Sequence, residues 1–322
     1  MLFHSAKKPV ELQLIHLNKN QERSQKQFGE IISHGDDATD NPLCKLKKLL
    51  KEKAHKKETP LDGKDDKTIY VLDFDGDIKA SAVAHLREEI STVISIAKAG
   101  DEVVLRLESG GGQVSSYGLA AAQLARLKQA GLTLTICVDK IAASGGYMMA
   151  CTADKIIASD FGVLGSVGVV SQLPNFHEVL KKHDVHFEQF TAGEYKRTVT
   201  MFGENTDEDR AKYQADIDRI HELFKAFVAK HRPSLDVDKI ATGEIWFGED
   251  AKNLGLCDEI GTSDAYLLEK MKTHNVFALH SRSKPTLAEK LGLADQVSSS
   301  ISSVFDKTLQ TANHAISKLN RP

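Results

Sequence analysis

The chain has 322 residues, of which 41% are hydrophobic, 27% charged and 6% aromatic, with a formal net charge of −3. That is the composition of an ordinary globular protein, long enough for one large or two modest cores, and its charge offers nucleic acid no basic footprint. Four well-separated cysteines (Cys44, Cys137, Cys151, Cys257) without a C-x-x-C pair argue against a disulfide framework or zinc site, and no apolar run approaches the roughly 18 residues needed to cross a bilayer.

Residues 1–66 read as an N-terminal extension. The first eight do not form a signal peptide, because basic residues follow a very short apolar start. Val10 to Asn18 alternates like a short strand, and Gln21 to Ile32 is polar with a helical pattern. Cys44 to Glu58 (CKLKKLLKEKAHKKE) is strongly basic, with Leu43, Leu46, Leu49 and Leu50 at helical spacing. It suits either a solvated helix or tether, or a helix drawn to an anionic membrane surface. Asp62 to Lys67 is a polar linker.

Over 67–274 the rhythm is that of alternating strands and helices. Strands are expected at Ile69–Phe74, Asp101–Leu107 and Leu132–Val138, with helices at Ala80–Ala99 and Val114–Gln129. Further strands are expected at Lys155–Ala158, Val163–Val170 and Val185–Phe190, and a helix near Asn175–His183. Thr206 to Arg232 reads as one long charged helix, capped by Asn205 or Thr206 and stopped before Pro233; Ser263 to Lys272 is another. Repeated βα units of this length imply an α/β fold with parallel strands and right-handed crossovers. Residues 275–322 form a C-terminal extension in which Leu287–Leu293 and Val297–Leu319 read as Ser- and Lys-rich amphipathic helices without catalytic residues.

Two glycine-rich turns follow strands, Ser109-Gly110-Gly111-Gly112 and Ser144-Gly145-Gly146. Sites of parallel α/β folds form at the carboxyl ends of strands, and two such turns can aim backbone N–H groups at one oxygen. Ser144 stands where a strand hands over to a helix, among side chains too small to cover it. On its own it reads more readily as a helix N-cap than as a nucleophile. Neither turn matches G-x-S-x-G, a P-loop or a dinucleotide fingerprint. A nucleophilic serine needs a base. His85, His177, His183, His186 and His221 lie amid charges on or near helices, away from strand ends. A desolvated lysine can serve instead. Lys196, in Thr191–Thr198 (TAGEYKRT), is one candidate and Lys140 the rival, although an exposed loop lysine is the plainer reading of Lys196.

These stretches together resemble the protease IV / signal peptide peptidase A family of serine peptidases, and within it the SohB type. The similarity runs in order over residues 68–270 through LRLESGGG (105–112), DKIAASGGYMM (139–149), ADKI (153–156) and GSVGV (165–169). It continues through TAGEYKRT (191–198), GENT (203–206), ATGEIWFG (241–248) and GLCDE (255–259). The resemblance implies a crotonase/Clp-protease-like βα spiral, Ser144 as nucleophile and Lys196 as general base. It implies an oxyanion hole from the N–H groups of Gly145 and Gly111, and a substrate groove along Gly165, Ser166, Val167 and Gly168 where an extended peptide adds as a strand. It also implies a homo-oligomeric ring with sites shared between protomers, and no metal or nucleotide cofactor. Expected substrates are extended apolar segments such as signal-peptide remnants or misfolded envelope proteins, at the periplasmic face of a bacterial inner membrane.

Two departures stand out. Gly110 replaces the proline usual in the first turn, which loosens it. The N-terminal membrane anchor of relatives has no counterpart here, while residues 9–58 resemble the segment that follows it, so the expectation is an internal start or a removed anchor. Two other readings stay open: a crotonase-like acyl-CoA enzyme, whose oxyanion hole also uses glycine turns, and a non-catalytic envelope scaffold.

Overall fold

The computed structural model describes residues 10–33 and 67–283. The basic stretch at 44–58 and the two C-terminal helices expected after residue 286 lie outside the described residues. By internal contacts the chain divides into Gln13–His280 and a second unit comprising Met1–Leu12 and Ser281–Pro322. Ser144, Lys196 and the glycine turns all lie in the first.

The unit opens with β1 (Val10–His16, begun in the other unit) and α1 (Leu17–Ser33), and then β2 (Thr68–Gly76), α2 (Val83–Ile96), β3 (Glu102–Ser109), α3 (Val114–Gln129) and β4 (Thr133–Val138). A three-residue strand β5 (Ile141–Ala143) precedes α4 (Gly145–Ala150), followed by β6 (Lys155–Ala158), β7 (Val163–Gly165) and α5 (His177–Lys182). The long α6 (Asp207–His231) leads to α7 (Val237–Ile240), β8 (Ile245–Phe247), α8 (Gly248–Asn253), β9 (Glu259–Ile260), α9 (Ser263–Thr273) and β10 (Asn275–Ser283). The main sheet runs β1-β10-β2-β3-β4-β6-β9, and β5, β7 and β8 branch from β3 as a second layer. Every pairing from β10 to β9 is parallel, and only β7–β8 is antiparallel among the registers described. This winding of βα units with a branched second layer is the α/β spiral expected.

Burial follows the period of two along each strand. Val103, Leu105 and Leu107 of β3 face a core shared with Leu72, Phe74, Ile136, Leu124 and Tyr117. Val104 faces the other way with Val71, Cys137, Ile157 and Leu267 of α9. Towards the strand ends that second face is uncovered, and there Arg106 makes a bidentate pair with Asp73, its cross-strand neighbour, at 2.6 and 2.9 Å. Cys137, Cys151 and Cys257 are free, buried thiols. Thr206 caps α6 through a capping box with Asp209.

The strand expected at Val185–Phe190 does not form. Val185, Phe187 and Phe190 are exposed, and no sheet edge of the described residues meets them. The strand expected over Val163–Val170 stops at Gly165, where φ turns to +104° and Ser166 follows at +50°. Among the described residues no helix is long and apolar enough to cross a membrane.

The far end of α6 is tied to β6 through Arg232, whose guanidinium donates to Asp258 at 2.7 and 3.0 Å and to the Gly255 carbonyl at 3.0 Å. Asp258 also accepts the Ile156 N–H at 2.7 Å. Burial raises the Asp258 pKa, but these hydrogen bonds outweigh it and leave the carboxyl below its ordinary value. Arg232→Ala is expected to cost about 2–3 kcal/mol, less than the roughly 3–5 of a fully buried pair because Asp258 still meets water. A urea titration at neutral pH measures this. A depressed carboxylate stabilises above its unfolded pKa of about 4 and loses that contribution as pH falls through the folded value, so wild type and variant should converge in acid.

Candidate active site

Register alone brings the strand ends together. Gly76 of β2 pairs with Ser109 of β3, Ser109 with Ala142 of β5, and Ala143 with Gly165 of β7. The turns that follow these strands therefore open on one edge, at the carboxyl ends of parallel strands. The chain does not pass straight from β4 to the Ser144 helix. It inserts β5, which carries Ser144 out of the main sheet and beside the Ser109 turn.

Ser144 is half-buried at the N-cap position of α4, with φ +51° and ψ −118°. Its side chain makes no capping hydrogen bond, so the hydroxyl is not spent on the helix. A non-glycine residue in such a conformation carries strain of about 1–3 kcal/mol and persists only where its surroundings fix it. Here the Ser144 N–H donates to Gly165 O at 2.8 Å, and its carbonyl accepts from the Met148 N–H at 3.0 Å. The N–H groups of Gly145 and Gly146, in the first turn of α4, have no acceptor among the described residues.

Gly111 and Gly145, read from the sequence as a pair, do meet. A Cβ on Gly111 would lie 2.6 Å from Gly145 N and 2.8 Å from Ser144 Cβ, and Gly111 has φ +89°. A Cβ on Gly145 would lie 2.5 Å from Cγ of the fully buried Tyr117. The Gly111 N–H donates to Ser109 Oγ at 3.1 Å, whereas the Gly112 N–H has no acceptor among the described residues. Gly110 is exposed and uncrowded: a Cβ there would find its nearest neighbour, Ile141 Cδ1, at 3.9 Å.

The groove residues flank this centre. Gly165 closes on the Trp246 ring, the Ser166 N–H donates to Glu244 O at 2.6 Å, and Val167 is buried with its carbonyl 3.3 Å from His221 Nε2. His221 is half-buried beside Val167, and no hydrogen bond links it to Ser144 among the described residues.

The two lysines differ. Lys140 is exposed and paired with Glu108 at 2.9 Å; that hydrogen bond and charge push its ammonium pKa up, away from a base. Lys196 is exposed on residues 171–206, which run outside the sheet between β7 and α6. Among the described residues of one chain its side chain has no hydrogen bond or ion pair, and none links it to Ser144. Sequence reasoning missed Tyr117 and Gly112; the one available signal was a tyrosine in the Ala-rich helix eight residues after Ser109.

The model of peptidase family S49 matches residues 126–277, and that of its N-terminal region matches residues 2–124. The chain belongs to peptidase family S49. Probable protease SohB of Haemophilus influenzae is 57% identical over 241 residues, covering 75% of this chain and 68% of that one. The SohB protein of Buchnera aphidicola subsp. Schlechtendalia chinensis is 48% identical over 272 residues, 83% of this chain and 89% of its own. A solved structure of 1510-N membrane-bound stomatin-specific protease with a substrate peptide aligns over 70% of this chain and 95% of its own. Its identity of 14% and TM-score of 0.43 make it too distant to inform the site. Membership of a peptidase family favours peptide-bond hydrolysis over the acyl-CoA and scaffold readings.

In this S49 peptidase, Gly145→Ala would drive a methyl into the Tyr117 ring. Overpacking of this kind is expected to cost about 1–3 kcal/mol, measured as a lower urea midpoint.

Proposed function

We propose that the protein is a serine endopeptidase that cleaves extended, apolar polypeptide through an acyl-enzyme, with Ser144 as nucleophile and Lys196 as general base. The observation that carries this is Ser144 itself: a strained residue with an uncommitted hydroxyl, next to the free N–H of Gly145 and pressed against a second glycine turn.

In the proposed cycle Ser144 Oγ attacks the scissile carbonyl carbon and gives its proton to Lys196 Nζ. The tetrahedral oxyanion accepts hydrogen bonds from Gly145 and from the Ser109–Gly112 turn. Gly111 is the sequence-based donor, and it would have to share the N–H now accepted by Ser109. Gly112, with its N–H unclaimed, is the alternative. Collapse expels the amine, which takes the proton from Lys196. Water then gives a proton to Lys196, attacks the ester and restores Ser144. Substrate would lie along Gly165–Gly168 as an added strand.

A lysine serves as base only where its ammonium is desolvated. Residues 171–206 carry Lys196 together with Val170, Phe176, Val179, Phe187, Phe190 and Tyr195, large apolar side chains in or beside the segment, all exposed in the single chain. Contact with a second copy would cover them and bring Lys196 to a neighbour's Ser144, so the site is proposed to be shared between protomers. The periplasmic face of a bacterial inner membrane is the proposed location, by family resemblance.

Ser144→Ala and Lys196→Ala should each lower cleavage of an unfolded apolar polypeptide by about 1000-fold or more, while Lys140→Ala keeps wild-type activity. Equal cleavage by wild type and both dyad variants would refute the dyad. Mixing and reassembling the two inactive variants should restore part of the activity, since some interfaces would pair an intact Ser144 with an intact Lys196. No recovery in mixed particles shown to contain both would refute sharing.

A further inference from the structure

We infer that Tyr117 is a positioning residue for hydrolysis: through Ser109 it pins the first glycine turn against Gly145, aligning the amides beside Ser144 before substrate arrives. The inference rests on the reading of Ser144 as nucleophile and adds to it a buried hydrogen-bond relay.

The direction of the relay follows from its partners. Tyr117 Oη donates to the Asp77 carbonyl at 2.7 Å. Its oxygen is then left to accept the Ser109 hydroxyl, 2.6 Å away; the other acceptor near Ser109, Gly76 O, is more distant at 3.4 Å. With its proton so placed, Ser109 Oγ accepts the Gly111 N–H at 3.1 Å. Each donor in the series has one acceptor, and the last link fixes the Gly110–Gly111 peptide plane.

The surroundings hold the relay still. Tyr117 is fully buried and Ser109 almost so. Gly76 and Gly145 both leave room for the relay: a Cβ on Gly76 would lie 2.5 Å from Ser109 Oγ and 2.6 Å from Tyr117 Oη, and one on Gly145 would strike the ring. A Cβ on Gly146 would collide with the Ser109 carbonyl oxygen. At the far end, Asp77 is held by the Ser81 N–H and hydroxyl, and the Gln113 N–H donates to Ile78 O at 2.8 Å, clasping the turn from its other side. Burial, aided by Asp77 and Asp75, pushes the phenol pKa up, so the ring remains a donor. A phenylalanine would fill the same volume; what the hydroxyl adds is its hold on the turn. That hold supplies rigidity where Gly110 stands in place of the family's usual proline.

The test uses the full chain with Tyr117→Phe, Ser109→Ala and the double variant, and Ser144→Ala as reference. The expected result is a fall in kcat of about 10- to 100-fold with KM within about twofold, and an equal loss of affinity for a peptide boronate that mimics the tetrahedral state. The double variant should lose no more than either single one, because both cut the same relay. If Tyr117→Phe fails to fold, Ser109→Ala, which leaves the ring in place, gives the same reading. Wild-type kcat and boronate affinity in folded Tyr117→Phe or Ser109→Ala, with Ser144→Ala inactive, would overturn the relay alone. Activity surviving in Ser144→Ala would overturn the nucleophile and the relay with it.

Discussion

Two backbones that approach too closely for a side chain to stand between them are the constraint on which the site depends. Gly111 lies against Gly145, Gly146 against Ser109, and Gly145 against the face of Tyr117. None of these contacts survives a Cβ without displacement of backbone or of a buried ring. Glycine is retained at such points for proximity as much as for torsional freedom. The result is that the turns of two separate βα connections lie in direct contact beside Ser144.

The sheet makes that approach inevitable rather than fortunate. Parallel register aligns Gly76, Ser109, Ala142 and Leu164 across four strands, so the turns that follow them open together. β5 is only three residues long, yet it hydrogen-bonds on both sides and thereby carries Ser144 in a conformation that an isolated turn would relax. Strain of this kind can be stored only where neighbours over-determine the position. The Gly165 carbonyl on the Ser144 N–H and the first helical bond of α4 do so here.

Much of this was legible in the sequence because it obeys local rules. Apolar runs of six or seven residues gave β2, β3 and β4, a cap at Asn205 or Thr206 gave the start of α6, and the glycine turns gave the candidate hole. Three features were not legible. β5 is too short to show a period of two. Val185–Phe190 is rich in residues that favour strands but lacks a sheet edge, because residue type reports local preference and not the presence of a partner strand. The Ser109–Tyr117–Asp77 relay joins residues 8 and 40 positions apart, a separation at which only the folded register reveals contact.

The placement of Lys196 carries the reasoning from one chain to an assembly. Within a monomer, a catalytic lysine needs dry surroundings, and residues 171–206 offer none, since nearly all of them are exposed. The same segment exposes large apolar groups at a density that isolated surface residues do not explain, Phe190 at 90% the most, and Val170 just before it is 82% exposed. A base without a dry environment and an apolar surface without a cover are each unsatisfactory alone. The docking proposed for this segment onto a neighbouring chain would resolve both, and on that proposal catalysis would be coupled to assembly, because the single chain presents a strained serine with no base beside it.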